Sequence, residues 1–392
     1  MKITDSPTFC SKPWTTLNID HTGRVLPCLS SMGGDKQGNE NTVGNIKENN
    51  IQSIIQDVKL HEIKQTIARG EWHPFCNKCQ QNELSSGISD RLEKTVPAKI
   101  IKRIDKDINY FKLTRLSINW SNLCNLTCTY CNPRTSTAWQ QLMKLPITHV
   151  RNDSAGLIEL IKDNRDSLTG ITFGGGEPLL QPRLLELLQE MNPKNTDVII
   201  TTNLSMNLDK NPVYQELRTW PTVKWMISFD NIEPAKFEYV RAGASWALFE
   251  HNIRQLKQDG QYIQAHPAYS IYCAFDLVSY YEFCQAYDLS IYWCDLKHPL
   301  ELDVRQLSKR QQKQARTEID HILELYGNNP ENEQKLSLGI LRRYRSQLGV
   351  SSNSNGIDPA QWHQTQEQFL GQKHTFSELW PRFNQRSGII AS

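Results

Sequence analysis

The sequence predicts an α/β fold built from repeated strand–helix units, and three observations carry that expectation. Between residues 112 and 300, six short apolar stretches alternate with segments of helical periodicity. Such serial βα units imply a parallel sheet or an open barrel. Four unusual motifs each fall at the end of one of the first four strands, the edge on which parallel αβ barrels do their chemistry. The segments on either side lack this rhythm, so a smaller N-terminal element and a helical C-terminal extension are expected around a partial (β/α)6 barrel.

Taken in order, residues 1–90 are polar and rich in turn signals. The stretch TTLNIDHTGRVLPCL reads as two short strands around His21-Thr22-Gly23. A helix is expected over 51–69, stopped by Gly70. Residues 91–111 mix charges and read as a connector. The barrel strands are expected at 113–120, 170–175, 197–203, 223–230, 268–275 and 289–296. Helices are expected at 135–144, 153–167, 181–191, 212–219, 245–259 and 278–287. Residues 301–392 look helical, with amphipathic runs such as LSKRQQKQARTEIDHILEL.

Bulk properties narrow the function. A net charge of +2 offers no basic face for nucleic acid. The start MKITDSPTFC has no apolar core, and no run of about 18 apolar residues exists to span a bilayer. The expectation is a cytoplasmic protein that binds neither nucleic acid nor membrane. Ten cysteines in a reducing compartment then point to metal or iron–sulfur ligation, not to disulfides.

Three of them, Cys124, Cys128 and Cys131, are spaced C-x3-C-x2-C after the first strand. Three thiolates hold three irons of a cubane [4Fe–4S] cluster and leave the fourth open to another molecule. The same logic separates catalytic zinc sites from closed structural ones. A zinc knuckle is the bland alternative for this spacing. The other motifs on this edge are GGGEPLL (174–180), TTNLS (201–205) and SFDN (228–231).

With these residues the sequence resembles the radical S-adenosylmethionine (radical SAM) enzymes. Their signature is C-x3-C-x2-C with an aromatic before the third cysteine, matched by Cys124, Cys128, Tyr130 and Cys131. Their Gly-Gly-Glu-Pro element is matched by Gly175, Gly176, Glu177 and Pro178. The resemblance implies that SAM binds the open iron and is cleaved reductively to a 5′-deoxyadenosyl radical, which abstracts a substrate hydrogen. It implies that Gly175, Gly176 and Glu177 hold the methionine amino group. Ser228 and Arg241 match an S-x-D…R arrangement that implies contacts to ribose or carboxylate, and Asn203 is placed near the ribose.

Cys10, Cys28, Cys76 and Cys79, ending in C-x2-C, resemble the twitch element of the SPASM/twitch subgroup. The resemblance implies a fully ligated auxiliary [4Fe–4S] cluster, here ahead of the barrel. A four-cysteine zinc ribbon is the alternative. Cys273, Cys284 and Cys294 read as buried small apolar residues. Cys273 is also the candidate to return a hydrogen atom to a substrate radical, as peptide epimerases of the superfamily do.

The resemblance therefore implies a radical SAM oxidoreductase that oxidises or crosslinks its substrate, with the auxiliary cluster as electron acceptor. The substrate expected is a ribosomally made peptide, or else a small molecule, and the electron donor a flavodoxin or ferredoxin. The alternatives are a redox-neutral epimerase, a sugar or small-molecule dehydrogenase, and a zinc-binding interaction protein with a degenerate barrel.

Overall fold

The computed structural model describes residues 2–31, 42–87, 89–92, 96–152, 155–296, 298–349 and 359–383. Parts of the C-terminal extension, 350–358 and 384–392, lie outside these. The chain divides into two compact units. The first comprises Met1–Leu123, His149–Ile200 and Pro212–Val223, and the second Cys124–Thr148, Thr201–Asn211 and Lys224–Ser392.

In the first unit, β1 (Thr16–Ile19) and β2 (Arg24–Leu26) form the expected hairpin. Its turn is closed by Asp20, whose carboxylate accepts from the Thr22 amide at 2.7 Å, and by Gly23 at φ +91°. A two-residue β3 (Gly44–Asn45) pairs with β2. The expected barrel strands follow as β4 (Arg115–Asn119), β5 (Gly170–Gly174) and β6 (Asp197–Thr202). The strand order is β3-β2-β1-β4-β5-β6. β1 lies parallel to β4, with Thr16 opposite Arg115 and Asn18 opposite Ser117. The N-terminal element thus lends a strand to the parallel set. Alternation places Leu17, Ile19, Leu116, Ile118, Ile171, Phe173, Val198 and Ile200 on the buried apolar face.

The helix expected over 51–69 is two helices, Ile51–Ile55 and Val58–Ala68. The break comes from Asp57, whose side chain accepts from the Lys59 amide and caps the second helix. The connector contains a helix at Ala98–Ile104.

In the second unit, β7 (Val223–Ile227), β8 (Tyr262–Ala265) and β10 (Ser290–Ile291) run parallel. Here two expectations are corrected. The fifth strand is Tyr262–Ala265, and only Ala268–Tyr269 (β9) of the expected 268–275 is extended. Pro267 has no amide to continue a ladder. Beyond Tyr269 the amides of Ala274 and Asp276 turn back to Ser270 and Cys273. The expected 289–296 strand is split into β10 and β11 (Cys294–Asp295), and β11 pairs with β9. A helix at Pro234–Val240 joins those expected at 245–259 and 278–287, which run Trp246–Gln258 and Leu277–Ala286.

The C-terminal extension is helical as expected, with helices Lys309–Tyr326, Pro330–Lys335, Leu338–Gln347, Pro359–Leu370 and Phe376–Leu379. It packs against its own unit through buried polar contacts. Tyr281 donates to the Leu336 carbonyl and Ser337 to the Ile291 carbonyl. The His363 ring stacks on Phe376 at 3.8 Å and bonds Tyr272 at 2.7 Å. No helix among the described residues is long and apolar enough to cross a membrane.

Candidate iron–sulfur and cofactor site

The loop from Cys124 to Cys131 makes no regular structure of its own, so its backbone groups must be satisfied by neighbours. A short helix, Thr137–Leu142, does much of this. The Thr137 hydroxyl accepts from the Cys124 amide at 3.2 Å and donates to its carbonyl at 3.1 Å. Ser136 donates to the Leu126 carbonyl at 2.7 Å, and the Trp139 indole to the Cys128 carbonyl at 3.0 Å. From the other side, the Thr127 and Thr129 amides donate to the carbonyls of Ala242 and Val240.

This scaffold brings the three thiols together. Cys128 donates to Cys131, which raises the pKa of the first and lowers that of the second. Cys124 adds its charge to the environment of Cys131. Two of the expected cofactor residues stand against the sulfurs. The Asn203 amide nitrogen lies 3.9 Å from Cys124 Sγ, and Arg241 Nη1 lies 3.9 Å from Cys128 Sγ. Arg241 is also held by a residue absent from the sequence expectation, the fully buried Asp230. Asp230 Oδ2 accepts from Arg241 Nε at 3.0 Å, from Nη2 at 2.8 Å and from the Tyr130 hydroxyl at 2.9 Å. Its Oδ1 accepts from the Ala268 amide at 2.9 Å. The S-x-D…R spacing already contained Asp230 and was the signal for it. Ser228 follows β7, its amide bonded to the Thr202 carbonyl.

Gly175, Gly176 and Glu177 belong to the first unit and fold against residues 119–123. Gly175 and Gly176 sit at φ +78° and +52°. A Cβ on Gly176 would collide with the Leu123 carbonyl oxygen and stand 2.9 Å from Asn122 C, so both backbone handedness and space demand glycine. The Glu177 amide donates to the Leu123 carbonyl at 2.7 Å, and its buried carboxylate accepts from the Leu179 amide at 3.0 Å.

Cys10, Cys28, Cys76 and Cys79 all line one cavity of the first unit, with Lys12, Trp72, Phe75 and Arg91. Cys10 precedes the turn into β1, Cys28 follows β2, and Cys76 and Cys79 lie at the start of helix Asn77–Ser86. Burial, with neighbouring thiols adding to it, pushes the Cys10 and Cys76 thiols up to about 12 and raises Cys28. Cys10, Cys28 and Cys76 resist ionisation, and with Cys79 they make a four-thiol donor set suited to a cationic centre, which deprotonates coordinating thiols. Among the described residues, no group of three or more His, Cys, Asp or Glu side chains is placed to hold a single metal ion; the four cysteines line a shared cavity. None of the ten cysteines is in a disulfide.

Of the remaining cysteines, Cys284 is buried as expected. Cys294 is not; it is exposed on β11, a correction that follows from a strand only two residues long. Cys273 is buried, with its thiol donating to the carbonyls of Ala268 and Ser270 at 3.4 and 3.5 Å.

The three-thiol loop and the four-thiol cavity are donor sets of the kind that iron–sulfur clusters take. Comparison with known proteins specifies the class. Residues 118–263 match the radical SAM superfamily, and residues 10–80 match SPASM, an iron–sulfur cluster-binding domain. The chain carries a radical SAM domain and, ahead of it in sequence, an iron–sulfur domain of the SPASM/twitch type. Its cofactors are SAM, the SAM-binding [4Fe–4S] cluster and auxiliary iron–sulfur ligation.

Among its relatives, a GTP 3′,8-cyclase of Peptoclostridium acidaminophilum is 27% identical over 154 residues, 38% of this chain and 44% of that protein. A 7-carboxy-7-deazaguanine synthase of Methanopyrus kandleri is 28% identical over 107 residues, 24% of this chain and 42% of that one. The chain thus spans less than half the length of these curated relatives. Solved structures with a partial likeness include anSMEcpe with bound AdoMet, at TM-score 0.42 and 14% identity over 57% of this chain and 63% of that one. Another is Streptococcus suis SuiB bound to the precursor peptide SuiA, at TM-score 0.40 and 12% identity, covering 79% and 68%.

Proposed function

We propose that this protein is a radical SAM oxidoreductase that dehydrogenates or crosslinks its substrate, with a ribosomally made peptide as the substrate class. When bound, the cofactors supply reductive cleavage of SAM, hydrogen abstraction from the substrate, and at the auxiliary cluster an acceptor for the electron the substrate radical gives up. The observation that carries the reading is the second set of thiols. Cys10, Cys28, Cys76 and Cys79 share one cavity, and four ligands leave no iron open for substrate, so electron transfer is the role that remains.

The chain's own residues have separable tasks in this reading. Cys124, Cys128 and Cys131 ligate the SAM-binding cluster, with Tyr130 fixing their loop by its bond to Asp230. Gly175, Gly176 and Glu177 present a backbone edge to the methionine amino group, and Ser228 offers a hydroxyl to the ribose or carboxylate. Asn203 and Arg241 donate toward the sulfurs of Cys124 and Cys128. Hydrogen bonds to cluster sulfurs raise the reduction potential. A second reading, a small-molecule substrate, is favoured by the names of the relatives, GTP 3′,8-cyclase and 7-carboxy-7-deazaguanine synthase.

The test begins with anaerobic reconstitution and iron and sulfide analysis of the wild type and the Cys124→Ala/Cys128→Ala/Cys131→Ala variant. About eight irons against about four is expected for two [4Fe–4S] clusters. Turnover with peptides encoded beside the gene, followed by mass spectrometry, then decides the reaction. Loss of two hydrogens supports oxidation, an unchanged mass with deuterium uptake from solvent indicates epimerisation, and zinc in the four-thiol cavity removes the acceptor and refutes the proposal.

A further inference from the structure

The loop carrying Cys124, Cys128 and Cys131 has an outer surface whose composition is unusual for a water-facing segment. Residues 141–149 are all exposed. They include Leu142, Met143, Leu145 and Ile147, exposed by 36, 44, 43 and 53%. Twelve large apolar side chains are exposed among the described residues, and four of them fall within these six positions. Clustered exposure of this kind marks an interaction site, whereas scattered exposure does not.

Three features say what covers it. The first is continuity with the cluster loop. The Thr137–Leu142 helix is bonded to the carbonyls of Cys124 and Cys128 through Thr137 and Trp139. Gln140 braces the exposed segment by donating to the Pro133 carbonyl at 2.7 Å and accepting from the Thr148 amide at 2.9 Å. Six helical residues span only about 9 Å, so the patch lies close outside the thiol loop. The second is charge. From Cys124 to Val150 the sequence holds Arg134 and Lys144 and no Asp or Glu, and both cations are exposed. The third is position. Lys144, at φ +54° just past the end of the helix, lies in sequence between Met143 and Leu145. An apolar patch carrying exposed basic side chains is complementary to a small acidic protein.

We propose that Leu142–Ile147, with Arg134, is the docking surface for the acidic one-electron carrier that reduces the SAM-binding cluster, a protein of the flavodoxin or ferredoxin kind. This rests on the reading of Cys124, Cys128 and Cys131 as ligands of that cluster. One electron leaves the carrier's reduced flavin or iron–sulfur centre and enters the cluster, taking it from the 2+ to the 1+ state.

The experiment follows cluster bleaching by anaerobic stopped flow in the reconstituted full chain, with reduced flavodoxin as the protein donor and dithionite as a small one. The variants are Ile147→Glu, which breaks the apolar centre, and Arg134→Gln/Lys144→Gln, which removes the rim charge. The readout is the ratio of the flavodoxin rate constant to the dithionite rate constant, so a general effect on the cluster cancels. A fall in that ratio of about tenfold in each variant is expected, together with a weaker dependence of the flavodoxin rate on salt in the double variant. An unchanged ratio overturns the docking surface while leaving the cluster reading intact. Absence of bleaching by dithionite in the wild type overturns the cluster reading itself. A wild-type dimer that Ile147→Glu converts to a monomer would assign the patch to a second copy of the chain and overturn the proposal as well.

Discussion

The Asp230–Arg241 pair offers the sharpest test of how the cysteine loop is held. Both residues are buried, Asp230 fully and Arg241 to within 7%. Asp230 accepts four hydrogen bonds, two of them from the guanidinium at 3.0 and 2.8 Å. Removing one member of a buried pair leaves the other uncompensated and costs roughly 3–5 kcal/mol. Arg241→Met keeps the packing of the aliphatic stem and should cost about that much. Asp230→Asn keeps an acceptor for the Ala268 amide but sets a neutral group under a buried cation, with a similar cost. In the double variant no lone charge remains, so its cost should fall short of the sum by at least about 2 kcal/mol. Global unfolding of a two-unit, cofactor-binding chain is not a two-state process. The assay is therefore native-state hydrogen exchange of the apo protein, read at the amides of Thr127, Thr129 and Ala268, whose partners adjoin the pair. Costs that add to within about 0.5 kcal/mol would show that the two residues act independently, and would refute the account of the loop's anchoring.

Other outcomes follow from the same geometry. Gly176→Ala should be destabilised by at least about 1 kcal/mol more than Gly87→Ala by native-state hydrogen exchange; both have positive φ, but a Cβ at Gly87 meets nothing within 4 Å while one at Gly176 strikes the Leu123 carbonyl. Equal losses would place strain in the backbone handedness alone. Burial lowers His363 to about 4 from an ordinary value of 6.5. The unfolded chain takes up this proton from about pH 6.5 downward and the folded chain only near 4, so stability should fall across that window. The melting temperature of His363→Phe should be less sensitive to acidification there; equal sensitivity contradicts the assignment. Burial likewise lowers Lys64 to about 8 from 10.5, with the ammonium near the rings of Trp14 and Phe111, each at 5.8 Å. Here the unfolded chain holds the proton to higher pH, so stability should rise between pH 8 and 10 in the wild type and not in Lys64→Met. A rise of the same size in both would refute it.

Much of the architecture was legible because strand periodicity is local. Leu116 and Ile118 flank Ser117, and Ile171 and Phe173 flank Thr172, and that alternation survives folding unchanged. It failed at 268–275, where an apolar run has the composition of a strand. Pro267 and the Ser270–Asp276 turns make most of it irregular, and the true strand lies a few residues earlier at Tyr262–Ala265. Cys294 was misjudged for a related reason, since composition does not reveal how short its strand is. The polar anchors of the cysteine loop were less legible still. Thr137 and Trp139 carry no metal chemistry and are recognised only by the carbonyls they satisfy.

The sequence by itself pointed to iron–sulfur and SAM chemistry. Ligand identity depends on residue type and short spacing, and C-x3-C-x2-C, C-x2-C and Gly-Gly-Glu-Pro are written within a few residues each. It also determined the α/β class, because periodicity of two and of 3.6 is a property of neighbouring residues. Only the tertiary structure decided that Cys10 and Cys28 meet Cys76 and Cys79 across some fifty residues of chain, and that β1 joins β4 in parallel. It alone decided that Asp230 gathers Tyr130, Arg241 and Ala268 on one buried carboxylate. These are contacts between distant segments, set by which surfaces can be buried together, and no local pattern encodes the partner.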